Sequence, residues 1–505
     1  MRIAYISAGA AGMYCGSCLH DNALVGALQR LGHDAVLVPT YTPLRTDEAG
    51  VGIDRVFFGA LNVFFKQVAP PLRRGQARVE RLLDSPLLLA LASRLGSATD
   101  PARLGGLTLS VLRGEEGHQA AELEKLVAWL RDDLRPQIVH LTNSMLAGFA
   151  RRLKQELAVP VVCSLQGEEL FLDGLAEPSR GEVRAALAER ARDVDLFIAP
   201  STWYADFMAA YLQVPRGRVA VVRLGIPLAG HGAGRHRQDA LAPASSAASA
   251  STATPAVPAT PATPAVSAAT TATTAPAAPT VPATPQVIGY LGRIAPEKGL
   301  HLLAAAFRQV AAALGAGRVR LQVAGYLPPR NRAYLRGVER QLAGWGLAGS
   351  YRYLGEVTRE EKLGFLAGLD VLAAPAVYRE PKGRYVLEAL ASGVPVVAPG
   401  HGAFPELLQE TGGGVLVPPE DPAALAAALV ELLRAGQRRA FLGGAGRAAV
   451  HGRFGDAAMA AATLALYERC LAGAVEPADG AGTVRAAGAA MAAGAAVAAG
   501  GAGGG

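Results

Sequence analysis

Cysteine is scarce in this sequence: 505 residues contain four, Cys15, Cys18, Cys163 and Cys470. That excludes a disulfide framework for a chain of this length and suggests a reducing compartment. Aromatic residues are also few, 6% against 51% hydrophobic overall. Much of the apolar content is therefore the small side chains of Ala and Gly. No stretch has the length and apolarity of a strong transmembrane helix. The opening residues, MRIAYISAGAAG, read as a buried strand and a Gly-rich turn, because Arg2 alone precedes a very short apolar run. These absences point to a cytoplasmic location. The formal charge of +7 suits anionic substrates or a phospholipid surface. It does not single out nucleic acid, since no aromatic–basic nucleic-acid module is present.

What the sequence does have is alternation. Short apolar runs predict strands over 2–7, 35–39, 138–142, 159–165, 196–200 and 219–223. A second series covers 287–291, 318–324, 351–354, 371–374, 394–398 and 414–417. Helical patterns fill most gaps, among them 22–31, 120–133 and 422–435. Alternation of this kind predicts an α/β protein with two doubly wound, Rossmann-like sheets facing a cleft, ligands lying at the carboxyl ends of the strands. Residues 240–286 carry no charge and are almost all Ala, Pro, Thr, Ser and Val. They cannot bury enough surface to offset their ordering entropy, which predicts a disordered linker over 231–286. Its 47 uncharged residues would span roughly 40 Å. The remaining divisions are an N-terminal domain over 1–230, a second domain over 287–455, a helix over 456–472 and a disordered Ala/Gly tail over 473–505.

Chemistry concentrates in VYREPKGRYVLEALASGVPVVAPGHGAFPE, residues 377–406. Glu380 and Glu388 stand eight positions apart around a bend at Gly383. A helix is expected just after the bend, followed by a short apolar strand. A bend that opens a helix aims backbone N–H groups and a positive dipole end at its ligand, which suits phosphate. Glu388, about one turn in, has the position to accept ribose hydroxyls, and Glu380 to hold a hexose ring. Upstream, IGYLGRIAPEKGLHLL places Gly292-Arg293 after a strand and Lys298-Gly299 at a helix start.

Together the two motifs resemble the nucleotide-sugar site of the retaining GT-B glycosyltransferases, especially family 4 (group 1), whose pattern is Glu-x7-Glu ending in EA-x-A-x-G-x-PVV. Here it reads Glu380, PKGRYVL, Glu388-Ala-Leu-Ala-Ser-Gly-Val-Pro-Val-Val. The resemblance covers about residues 1–230 and 287–472 and implies a GT-B architecture with an acceptor domain and a donor domain. The helix near 456–471 resembles the one that crosses back to the N-terminal domain in this fold. The implied function is transfer of a hexose from a nucleoside diphosphate sugar to a hydroxyl of a glycan, lipid or small molecule, with retention and without a metal or other cofactor. Arg293, Lys298 and Glu380 would be catalytic. The donor would be held by Arg293, Lys298, Glu380, Gly383, Arg384 and Glu388. Alternatives are a non-catalytic sugar-nucleotide-binding or scaffold protein of a polysaccharide assembly system, and a GT-B nucleotide-sugar epimerase.

Some residues depart from the family pattern. The N-terminal loop from Gly9 to His20 lacks the family's Gly pair, Gly16 being the best match. Its spacing is not G-x-G-x-x-G, which disfavours a dinucleotide-dependent oxidoreductase. Gly12, Gly16, His20 and Gln166 are the N-terminal cleft candidates. Gln166 stands where the family often has His, and Leu224 where it usually has Asn. Lys382 replaces a usual aromatic and Arg384 is an added cation; the two either bind an extra anionic group or are solvated charges. Cys15 and Cys18 form C-x-x-C without a second pair, and Asp193-Val-Asp195 reads as a helix-end pair rather than a metal site. Residues 55–82 hold four phenylalanines and six basic side chains against one acid. Packing of the phenylalanines into the core is favoured, with peripheral contact to an anionic membrane as the alternative.

Overall fold

The computed structural model describes residues 1–9, 16–42, 46–48, 50–53, 104–232 and 284–473. Gly12, Cys15, the 55–82 segment, nearly all of the linker and all but Gly473 of the tail lie outside these.

Twelve strands form two six-stranded parallel sheets. The first has the order β2-β1-β3-β4-β5-β6, with β1 Arg2–Ser7, β2 Asp34–Pro39, β3 Ile138–Leu141, β4 Val161–Ser164, β5 Leu196–Ala199 and β6 Val219–Val221. The second has the order β12-β11-β10-β7-β8-β9, with β7 Gln286–Leu291, β8 Val319–Ala324, β9 Tyr351–Tyr353, β10 Val371–Ala373, β11 Val396–Pro399 and β12 Gly414–Val417. Every predicted strand is present within two residues at either end. The signal is strong because β3, β4, β5, β10 and β11 are buried at every position. Parallel strands covered by helices on both faces need continuous apolar runs.

The helix predicted over 22–31 begins earlier, at Gly16, and ends at Arg30. Its added turn is anchored from inside: Cys18 and Asp21 are buried, and Asp21 accepts hydrogen bonds from Tyr5 (2.7 Å) and Ser7 (2.8 Å) of β1. His231, placed by composition at the start of the linker, is also buried, its Nδ1 2.9 Å from Ser392 Oγ.

The last helix, Asp456–Leu471, lies against Gly16–Arg30 of the N-terminal domain. Ile226 and Asp456 lock its start through Ile226 N to Phe454 O (2.9 Å) and Asp456 N to Ile226 O (3.1 Å). Fully buried Tyr467 meets His140 Nδ1 of β3 at 2.5 Å, and His140 Nε2 meets Ser164 Oγ at 2.8 Å. One apolar cluster runs from Leu24 and Leu28 through Leu224 and Ile226 to Met459, Leu387 and Phe404, crossing both sheets' territories. Each such Leu or Phe contributes about 1.5–3 kcal/mol on burial.

Candidate active site

In the second sheet the strand order reverses between β7 and β10, so the crevice at their carboxyl ends is where a ligand belongs. Both motifs leave from those two ends. After β7 the chain passes through Arg293 to a short turn, Pro296–Lys298, closed by Gly299. Gly299 has φ +76, and a Cβ there would stand 1.8 Å from the Pro375 carbonyl oxygen. Only glycine lets this turn approach β10 so closely. Glu297 ties the two loops together. Its carbonyl accepts from Val377 N (3.0 Å), and its carboxylate takes Arg293 Nη2 at 2.6 Å.

Lys298 then projects onto the β10 loop. Its Nζ lies 2.7 Å from Glu380 Oε2 and 2.7 Å from Tyr378 OH, which itself donates to Glu380 Oε2 at 2.5 Å. The ammonium also stands 4.8 and 5.4 Å from the ring centres of Tyr378 and Tyr385. Burial alone would raise the Glu380 carboxyl. Lys298, with help from Tyr378 and Lys382, nevertheless holds it below the ordinary carboxylate value. Arg293 remains partly exposed, its side chain at 39%.

Gly383 has φ +64 and caps the helix Arg384–Ala391, so the expected bend and helix start are both present. Its N–H points at Glu380 Oε1, 3.5 Å away. The helix closes on Gly383 O, which accepts from Val386 N (2.9 Å) and Leu387 N (3.2 Å). Glu388 lies one turn in, buried, accepting from Lys362 Nζ (2.9 Å) and Arg384 Nε (3.1 Å). Both bonds fall on Oε1. Burial opposes ionisation, but Lys362 and Arg384 pull the carboxyl down to about 2.

Arg384 is neither solvated nor held for a ligand alone. It is 8% exposed and paired with Glu388 and, through Nη2, with Glu48 of the other domain at 3.3 Å. Lys382 crosses the cleft to Ser17 Oγ (3.3 Å) and Gln166 Oε1 (3.2 Å). Gln166 is fixed in turn: its Nε2 donates to Asp21 Oδ1 and to Thr142 O, both at 2.8 Å. His20 Nδ1 lies 3.3 Å from Asp21 Oδ1, and burial holds the imidazole below its ordinary pKa against the pull of Asp21. Gly16 sits beside them, a Cβ there falling 3.9 Å from Lys382 Nζ. His20, Gln166 and Lys382, with His140 and Ser164, line a small cavity of about 20 Å³. Asp193 and Asp195 are taken by Arg151 (3.1 Å) and Lys154 (2.6 Å). Cys18 is buried.

Sequence reasoning missed Tyr378, Asp21, Lys362 and the Asp47-Glu48 pair. Tyr378 had a signal, two positions before Glu380 in the same loop. The others belong to elements whose contact with the site is purely tertiary.

Two family models match the chain, the "Glycosyl transferase 4-like domain" over residues 22–225 and "Glycosyl transferases group 1" over residues 285–435. The chain belongs to the group 1 glycosyltransferases. Among group 1 relatives, a phosphatidyl-myo-inositol mannosyltransferase of Mycobacterium leprae is 40% identical over 136 residues, 26% of this chain and 36% of that protein. A D-inositol 3-phosphate glycosyltransferase of Geodermatophilus obscurus is 37% identical over 161 residues, 30% of this chain and 36% of its own length. The matched stretch thus spans about a third of each curated relative. The GT-B fold is shared with solved structures. A sucrose-phosphate synthase of Thermosynechococcus elongatus superposes with a TM-score of 0.64 at 16% identity, covering 94% of this chain and 100% of that one. Anabaena HepE in complex with UDP-glucose gives 0.58 at 16% identity, covering 92% and 100%. Among the described residues, no helix is long and apolar enough to cross a membrane.

Proposed function

We propose that this group 1 glycosyltransferase moves a hexose from a nucleoside diphosphate sugar to a hydroxyl acceptor, with retention and without a metal. The observation that carries the reading is the Lys298–Tyr378–Glu380 cluster at the β7/β10 switch point, beside Arg293 and the Gly383 helix start. Lys298 and Arg293 neutralise the departing diphosphate, and the helix N-terminus adds to the same field. Glu380, kept ionised, accepts hydroxyls of the sugar, and Glu388 accepts those of the ribose through Oε2. The HepE complexes contain UDP and UDP-glucose, and the curated relatives are named for mannosyl transfer and for inositol phosphate, which supports this donor class and a polar acceptor. The acceptor lies against His20, Gln166 and Lys382. A cytoplasmic enzyme fits the small number of cysteines.

One observation favours a second reading. Gln166, which cannot titrate, is locked by Asp21, Thr142 and Lys382 where the family pattern often has an imidazole. A sugar-nucleotide-binding protein without turnover would carry such a change. Wild type and Lys298→Met, tested against UDP-, GDP- and ADP-sugars for thermal stabilisation and nucleotide release, decide between them. Slow donor hydrolysis that falls by about 10²–10³ in the variant supports transfer. Binding without release supports the second reading, and binding of no donor overturns both.

A further inference from the structure

Around Glu388, five further charged side chains meet across the domain boundary. Lys362 Nζ is shared between Glu388 Oε1 (2.9 Å) and Asp47 Oδ2. Arg384 is shared between Glu388 (3.1 Å) and Glu48 (3.3 Å), and Arg359 Nη1 reaches the same Glu48 oxygen at 3.0 Å. Asp47 and Glu48 follow β2 in the N-terminal domain; the other four belong to the donor domain. The donor side of this cluster holds three cations and one carboxylate, an excess of two positive charges. The N-terminal side supplies the two negative charges that balance it. Neutrality is therefore a property of the closed pair of domains and of neither domain alone.

The side chains of Asp47, Lys362, Arg384 and Glu388 are each less than a tenth exposed. Buried charges are a poor means of gluing two surfaces, since well-packed apolar groups would do as well or better. The cluster is also not self-satisfied: Asp47 Oδ1 and Arg384 Nη1 are buried without a hydrogen-bond partner. Both features fit a network that serves the group at its centre.

We propose that Asp47 and Glu48 are positioning residues for the donor nucleotide. They share Lys362 and Arg384 with Glu388, fix the orientation of its carboxylate, and leave Oε2 to accept the ribose hydroxyls. Ribose recognition and domain closure then become one event. When the N-terminal domain swings away, two uncompensated cations collapse onto Glu388 and compete with the ribose. The proposal rests on the ribose role given to Glu388 above, and it adds residues from the domain that does not itself carry the nucleotide.

The test uses the full chain with Glu48→Gln, Asp47→Asn and the double variant. UDP, GDP and ADP, their 2′-deoxy forms and inorganic pyrophosphate are titrated by calorimetry. The expected result is a loss of about tenfold or more in nucleoside diphosphate affinity in the double variant. The ribo-to-deoxyribo preference should shrink while pyrophosphate binding stays within twofold. Glu48→Asp, which keeps the charge, should restore part of that preference. An unchanged ribo-to-deoxyribo ratio, or equal weakening of pyrophosphate, overturns the proposal. If the N-terminal variants fold poorly, Arg359→Gln carries the same comparison from the donor side, where it removes one of Glu48's two cations. Absence of any nucleoside diphosphate binding by wild type would instead sink the glycosyl-transfer reading, and the proposal with it.

Discussion

Replacing Lys298 by Met removes a cation while keeping the stem's volume, and its effect on stability follows from the surroundings of Glu380. That carboxylate is 5% exposed, and Lys298 Nζ at 2.7 Å is its ion-pair partner. Stripping one partner from a buried pair costs about 3–5 kcal/mol. The Tyr378 hydroxyl still donates in the variant, so the lower end, about 3 kcal/mol, is expected. For a domain of this size that is a fall of about 6–12 °C in Tm. The cost must depend on pH. In wild type the Glu380 pKa is depressed, so its stabilisation is fully present above the unfolded value of 4.5 and is lost only as pH falls through the folded value. In the variant burial wins and the pKa rises, so the penalty grows as pH climbs from 4.5 through the raised value. The gap between the two proteins should therefore be largest near pH 8 and narrow toward pH 5, where the wild-type pairing still contributes. Calorimetric melting of both proteins at half-unit intervals measures it, and Glu380→Gln in the Lys298→Met background should recover much of the loss at pH 8. A gap that is the same at pH 5 and pH 8, with no recovery in the double variant, would refute the pairing as the source.

Gly383→Ala forces an L-residue to φ +64 and brings its methyl to 3.1 Å from Leu407 Cδ2. The expected cost is about 1–2 kcal/mol in urea unfolding, with weakened pyrophosphate binding at the same turn. Burial pushes Glu169 up to about 7 from 4.5, so its neutral form is the one the fold prefers. Stability should fall by up to about 3 kcal/mol between pH 4.5 and 7, and Glu169→Gln should flatten that slope in urea titrations. Tyr467→Phe leaves His140 Nδ1 buried without its 2.5 Å partner. A loss of about 1–3 kcal/mol is expected, along with faster amide exchange in Asp456–Leu471 than in the central strands.

The fold was largely legible, and the reason is burial on two faces. A strand such as β4, Val161–Ser164, lies inside a parallel sheet and has to be apolar throughout, so a bare apolar run marks it. Boundaries were poorer where tertiary anchors set them. The helix Gly16–Arg30 begins six residues before its predicted start because Asp21 is held by Tyr5, Ser7, Thr142 and Gln166, partners that no local pattern announces.

The site was legible to the extent that it is local. Arg293, Lys298, Glu380 and Gly383 lie on two short loops, and the Lys298–Glu380 contact follows once β7 and β10 are neighbours. Arg384 shows where local reading stops. It precedes Glu388 by four positions, a spacing that puts both side chains on one helix face, so their ion pair was available from the sequence alone. What decides its state is that Arg384–Ala391 has almost no solvent face: apart from Tyr385, every residue in it is buried. A cation on such a helix has no water to retreat to, and a single carboxylate cannot balance both it and Lys362. The missing negative charge has to come from elsewhere, and it comes from Glu48, 336 positions away in the other domain. Periodicity locates the helix, and charge accounting shows that a partner is owed; only the closed cleft identifies which one.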